Sequence, residues 1–133
     1  MKRDKKKTYW NSYQIGKWAE WEAERWFLGQ RAATLLYRNY RFWGGEIDLI
    51  FEERLDPVEK EGLEIVFLEV RVRSQTGWVG ALESISDKKK RCLKRTIHHF
   101  LRQYEGKAQS LRVDLLGWDG SRWEHYQNLW ILD

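Results

Sequence analysis

One cysteine, one proline and one methionine in 133 residues exclude several protein classes at the start. The single thiol, Cys92, cannot close an intrachain disulfide, so a stapled secreted scaffold is ruled out and nothing points to an oxidising compartment. Beside that cysteine there are only three histidines, His98, His99 and His125, and they lack the paired spacing of a zinc site. No apolar run approaches the ~20 residues that span a bilayer. The lysine-rich start is not followed by the apolar stretch of a signal peptide. These absences lead us to expect a cytoplasmic protein, and the length suits one domain with one core.

Positive charge is also scarce where it would be expected. The net charge is +4, and residues 1–7, with five basic groups and one acidic group, account for all of it. We therefore read residues 1–11 as a basic flexible tail and residues 12–133 as a single neutral domain. Inside that domain the charges are segregated. The stretch from Glu46 to Glu69 is acidic, opposed only by Arg54 and Lys60. The stretch from Asp87 to Arg102 holds Lys88, Lys89, Lys90, Arg91, Lys94, Arg95 and Arg102 against one aspartate. An acidic cluster facing a basic helix is the layout a phosphodiester requires, although a basic run can also be a solvated helix face.

What the chain does have is two strand-like segments, each with a carboxylate set among apolar residues: Gly45-Glu46-Ile47-Asp48-Leu49-Ile50 and Val66-Phe67-Leu68-Glu69-Val70-Arg71. A carboxylate in a largely buried run is costly to desolvate. A divalent cation offsets that cost where two carboxylates from adjacent strands converge. The period of two places Glu69 and Arg71 on one face and Val66, Leu68, Val70 and Val72 on the other. This spacing matches the Asp, then Glu-x-Lys, arrangement of metal-dependent nucleases, with Arg71 where lysine is expected. An ordinary ion pair between Glu69 and Arg71, with Asp48 closing a turn, would also account for these residues.

The remaining pattern predicts an α/β layer architecture. A first helix is expected from about Ser12 to about Arg31, with Ile15, Ala19, Ala23, Trp26 and Phe27 on one stripe and Glu20 at its edge. A short strand at Thr34–Arg38 follows, then a turn at Asn39-Tyr40-Arg41 and the Gly44-Gly45 pair, which suits a tight turn or close backbone approach. Residues 54–62 read as a long hairpin connection. A second helix starts after Ser86, an N-cap followed by Asp87, with Leu93, Ile97, Phe100, Leu101 and Tyr104 as its apolar stripe. Strands at Leu111–Trp118 and Arg122–Leu132 close the chain around Asp119-Gly120-Ser121.

The order of these pieces resembles a known family. Gly16-x-x-x-Glu20 with Ala23, Arg38-Asn39-Tyr40-Arg41, the Gly45–Ile50 segment, Phe67-Leu68-Glu69-Val70-Arg71-x-Arg73, Lys89, and His125-Tyr126-Gln127-Asn128-Leu129-Trp130 occur at matching intervals. Over Gly16–Trp130 the chain is similar to the bacterial YraN family of uncharacterised proteins. That family in turn resembles archaeal Holliday junction resolvases and the restriction-endonuclease-like fold. The resemblance implies a mixed central sheet flanked by helices, with Glu20, Asp48 and Glu69 holding Mg²⁺ or Mn²⁺ and branched or structured DNA as the substrate. Glu46, on the face of Asp48, is expected to be an outer or DNA-facing group. Arg71 departs from the expected lysine. Arginine stays charged and cannot act as a base, yet its forked donors can hold a phosphate. Lys89 would supply an ammonium, and Ala32 replaces a family glycine after the first helix.

Nine tryptophans are far more than a chain of this size ordinarily carries. Trp18 and Trp21 fall off the apolar stripe of the first helix, while Trp43 and Trp78 fall in loops flanking the carboxylate strands. Together with Lys88, Lys89, Arg91 and Arg73 they are candidates for nucleic-acid contact, since exposed indoles stack on unpaired bases. They equally suit a homodimer or another partner surface. The expectation is a metal-dependent endonuclease. Its rivals are a non-catalytic nucleic-acid-binding relative and a tryptophan-rich interaction module.

Overall fold

A computed structural model of the protein describes residues 10–56, 62–72 and 85–129. Residues 1–9 of the basic tail, Arg73, Trp78 and the last four residues lie outside the described residues. The elements run α1 (Ser12–Gln30), β1 (Ala33–Phe42), β2 (Gly45–Arg54), β3 (Leu63–Val72), α2 (Asp87–Gln103), β4 (Ser110–Trp118) and β5 (Trp123–Tyr126). The strands form one sheet in the order β1-β2-β3-β4-β5. Every neighbouring pair is antiparallel except β3 and β4, which are parallel and joined through α2. The result is a mixed α/β fold, a five-stranded sheet flanked by two helices, consistent with the restriction-endonuclease-like architecture.

Alternation along the central strands builds two cores. Ile50, Ile65 and Phe67 pack against Leu93, Ile97 and Phe100 of α2. Leu49, Phe51, Val66 and Leu68 pack against Ala23 and Phe27 of α1. The central strands are therefore apolar on both faces, as a sheet covered on both sides requires. The small residues Ala19 and Ala23 let α1 lie close to the sheet, and both are buried. Asn11 caps α1 with a full capping box to Gln14. Ser86 caps α2, its Oγ accepting from the Lys89 amide at 3.1 Å, as its sequence position implies.

Three expectations are corrected. β1 does not stop at Arg38 but continues to Phe42, and Asn39-Tyr40-Arg41 lies within it. Asn39 adopts a left-handed φ of 50°, and its polar neighbours read as a turn because β1 is an edge strand with exposed positions. The reversal is the two-residue Trp43-Gly44 turn, with φ values of 44° and 78°. The last strand is shorter than Arg122–Leu132, since β5 ends at Tyr126 and Asn128 turns left-handed with φ 59°. The Asp119 turn is as expected, with Asp119 Oδ1 accepting from the Ser121 and Arg122 amides at 2.8 and 2.9 Å.

Both glycines of the first hairpin are required, for different reasons. Gly44 supplies the positive φ. Gly45 lets β2 touch α2, because a Cβ there would lie 2.1 Å from Thr96 Oγ1 and 2.7 Å from the Cys92 carbonyl oxygen. No helix among the described residues is long and apolar enough to cross a membrane.

Candidate metal centre

The two carboxylate strands separate where their carboxylates lie. The β2–β3 ladder ends at Leu49↔Leu68. One residue further, the Val70 amide donates to Asp48 Oδ2 at 2.8 Å, so a side chain takes the place of a ladder carbonyl. Side-chain alternation also slips here. Ile47 packs in the α2 core, whereas Leu49, two residues on, packs in the α1 core. Asp48 sits at the slip, buried at 7% exposure, and Glu69 beside it is equally buried at 6%.

The strands open into a cleft of about 780 Å³ between the N-terminal ends of α1 and α2. Glu20, Glu46, Asp48, Glu69, Arg71, Lys88 and Lys89 all line it. Ligand oxygens of Glu20, Glu46 and Asp48 lie within 4.8 Å of one another. Burial, and next the negative charge and hydrogen bond of Glu69, push the Asp48 carboxyl well above the usual carboxylate range. The Val70 amide opposes that rise without overcoming it. A second carboxylate this close makes ionisation of the pair unfavourable unless a cation joins it. The donors are all oxygens, the set that hard divalent cations such as Mg²⁺ and Mn²⁺ take. The residues therefore fit the cation expected of them.

Cations of the protein ring this centre. Lys89 Nζ, from α2, lies 3.8 Å from Glu69 Oε2, and Arg71 Nη2 lies 4.0 Å from the same oxygen. The ammonium missing from position 71 is thus supplied beside it from a different element. Glu20 Oε1 accepts from Asn39 Nδ2 at 2.9 Å and faces Lys17 Nζ at 3.6 Å. The left-handed Asn39 that interrupts β1 is what reaches Glu20. Arg41 pairs with Glu46 at the outer edge.

Of the residues singled out in the sequence, Glu20, Asp48, Glu69, Arg71, Lys88 and Lys89 come together in this cleft. Glu46, expected to be an outer group, lies within ligand reach of Glu20 and Asp48. Arg91 is exposed on α2 and does not line the cleft. Trp43 stands at the rim, 79% exposed. Trp18 is not a free stacking surface, since it packs edge-on against Trp118 at 5.6 Å and Trp10 at 6.3 Å. Trp21 is exposed beneath the Arg25 guanidinium, 4.8 Å away. Asn39 was singled out in the sequence as part of the Arg38-Asn39-Tyr40-Arg41 motif and as a turn residue, but not as the partner of Glu20. Glu46 gave a signal, its i, i+2 spacing from Asp48.

The fold and cleft together define a small mixed α/β protein with an acidic centre suited to a divalent cation, bordered by basic groups. The chain belongs to the uncharacterised protein family UPF0102, whose family model matches residues 19–117. It is 36% identical over 115 residues to a UPF0102 protein of Aeromonas hydrophila, an alignment covering 85% of this chain and 82% of that one. It is 44% identical over 80 residues to a UPF0102 protein of Nitrosomonas europaea, covering 60% of this chain and 61% of that one. A UPF0102 protein of Carboxydothermus hydrogenoformans is 32% identical over 124 residues, covering 90% and 97%.

Proposed function

We propose that this protein is a divalent-cation-dependent endonuclease acting on branched or flapped DNA. The observation that carries the reading is the buried Asp48–Glu69 pair at the strand divergence, with Glu20 and Glu46 in reach and two cations on Glu69. Glu20, Asp48 and Glu69 would hold Mg²⁺ or Mn²⁺, with Glu46 completing the oxygen set. When bound, such a cation lowers the pKa of a water and neutralises charge building on the phosphate.

The chain's own groups have separate tasks. Asp48, held by the Val70 amide, is the fixed carboxylate of the centre. Arg71 keeps its proton, so it acts by offering forked donors to the phosphate. Lys89 approaches from α2 and can pass from Glu69 to a phosphate oxygen without leaving the cleft. Lys88, also lining the cleft, adds charge along the path of the backbone. Arg71 in place of lysine favours a second reading, a DNA-binding relative that keeps the centre and has lost turnover.

Thermal melting with Mn²⁺ tests the shared premise. Binding at a hundredfold excess over Kd stabilises the folded state by about 2.7 kcal/mol. The melting point should therefore rise with Mn²⁺, and Asp48→Asn with Glu69→Gln should remove the rise while the protein still folds. A melting point indifferent to millimolar Mn²⁺ would remove the basis of both readings. Cleavage of branched DNA in Mn²⁺ then separates them.

A further inference from the structure

The hairpin at the cleft rim holds a side chain that the fold does not use. In a two-residue turn with positive φ at both positions, Asn or Gly is the low-cost first residue. Here the first residue is Trp43, with φ 44°, a backbone conformation that bulky side chains rarely adopt. Burial does not offset the strain, because Trp43 is the most exposed large hydrophobic residue described. Among the described residues its one ring neighbour is Phe42, tilted at 6.2 Å.

The backbone beneath the indole is fixed from several sides. Arg95 Nη1 donates to the Trp43 carbonyl at 3.1 Å, and Thr96 Oγ1, which donates to the Cys92 carbonyl at 2.8 Å, lies 3.4 Å from the Phe42 carbonyl. The Phe42 ring stacks on His99 at 3.8 Å, and Gly45 is pressed against α2 with no room for a Cβ. Gly44 and Gly45, the next two residues, line the carboxylate cleft. An aromatic plate is thus held rigidly in solvent at the mouth of a cleft bordered by Lys88, Lys89 and Arg71.

We propose that Trp43 stacks on a base left unpaired beside the phosphate in the cleft, so that the protein selects DNA interrupted by a branch or flap over continuous duplex. This rests on the nuclease reading and adds its source of selectivity. An indole can take a base of any sequence, because every base has a π-face. A continuous duplex offers no free base face, and unstacking one costs energy. A branch point offers such a face at little cost. Local backbone strain of this kind is found where a side chain must be presented in one place.

The test uses fluorescence anisotropy in an Asp48→Asn background, where cutting is blocked and the cleft repels phosphate less. Labelled flapped DNA and a continuous duplex of the same sequence are compared at fixed salt. Trp43→Asn should cut the preference for flapped DNA by about tenfold, the loss carried by one base–aromatic stack. Its affinity for duplex should change little, and its melting point should stay equal or rise, because Asn-Gly suits this turn. Trp43→Phe should keep most of the preference, and the fluorescence of 2-aminopurine placed at the flap junction should report the stack only when the ring is present. An unchanged preference in Trp43→Asn, an equal loss on both DNAs, or no preference in the parent would overturn the proposal and leave the metal centre standing. A parent that binds no DNA would overturn the nuclease reading along with it.

Discussion

With no cation bound, Asp48 and Glu69 coexist most easily by keeping a proton between them. The Asp48 carboxyl is raised by burial and by Glu69, so the folded state holds this proton at a pH where the unfolded chain has released it. Stability from this group is fully present below the unfolded value of about 3.9 and is lost as pH rises through the folded one. The loss is about 1.4 kcal/mol for each unit by which the pKa is raised. Metal-free protein should therefore lose stability as pH rises from about 4 through the raised folded value, as urea unfolding would show. Asp48→Asn should flatten that slope and be the more stable form at pH 8, and saturating Mn²⁺ should flatten it in the wild type. At the neighbouring position, Arg71→Lys should raise cleavage of branched DNA in Mn²⁺ by about tenfold or more if a deprotonatable ammonium is what the site lacks. A fall in the single-turnover rate would mean that the guanidinium fork is the better phosphate ligand here.

Among the elements, the first hairpin and α2 meet with no room for a side chain at Gly45. Gly45→Ala places a methyl group against Thr96 Oγ1 and the Cys92 carbonyl, and overpacking of this kind costs ~1–3 kcal/mol. Thr96→Ala in the same chain should recover only part of that loss in urea unfolding, because the carbonyl remains. The Gly44-Gly45 pair was legible as either a turn or a close approach, and the structure uses one glycine for each. Helices α1 and α2 and the two carboxylate strands were legible because period and caps agree within each. The extent of β1 was not, since an exposed edge strand can carry Asn39 and Arg41 without any apolar pattern. The irregularity at Asp48 was hidden for another reason. Strict alternation cannot reveal the slip at Asp48, which sends Ile47 and Leu49 to opposite cores.

At the scale of the whole molecule, a buried ionic network fastens the end of the sheet away from the cleft. Arg112 of β4 lies among Glu53 of β2, Glu64 of β3 and its own neighbour Asp114. Arg31, just after α1, reaches Glu53 at 3.1 Å, and His125 of β5 lies 2.8 Å from Asp114. Glu53 Oε1 and Arg112 Nη2 meet as charges without a well-angled hydrogen bond. Removing the central cation takes a charge partner from three acidic groups at once, although Arg31 still reaches Glu53 and His125 still meets Asp114, so Arg112→Ala should cost about 3 kcal/mol. Burial alone would raise the Asp114 carboxyl. The hydrogen bond with His125, the Asn128 amide and the charge of Arg112 together hold it below its ordinary value. Its contribution is present above pH ~3.9 and is lost as pH falls through the lower folded value. The penalty of Asp114→Asn in urea unfolding should therefore shrink in acid. Arg112 stands opposite Val66, three residues or roughly 10 Å along the strand from Glu69, so Arg112→Ala should keep the Mn²⁺ shift wherever it remains folded.

The two sides of the cleft differ in compliance. On one side the hairpin and α2 are pinned by Arg95, by Thr96 and by a glycine contact with no slack, so they can move only as one body. On the other side α1 is buried at Ala19, Ala23 and Phe27, while its opening turns carry exposed or half-buried residues held by the Trp10, Trp18 and Trp118 ring contacts and by the Asn39 bond to Glu20, and a Cβ on Gly16 would meet nothing within 4 Å. If the proposed substrate presses into the cleft, the opening turns of α1, with no fully buried residue before Ala19, have more room to give than the hairpin. Glu20 rides on the yielding side and Asp48 and Glu69 on the sheet. On the proposed function, the centre would give up or regain one carboxylate as the cleft changes width, while the Trp43 rim keeps its place.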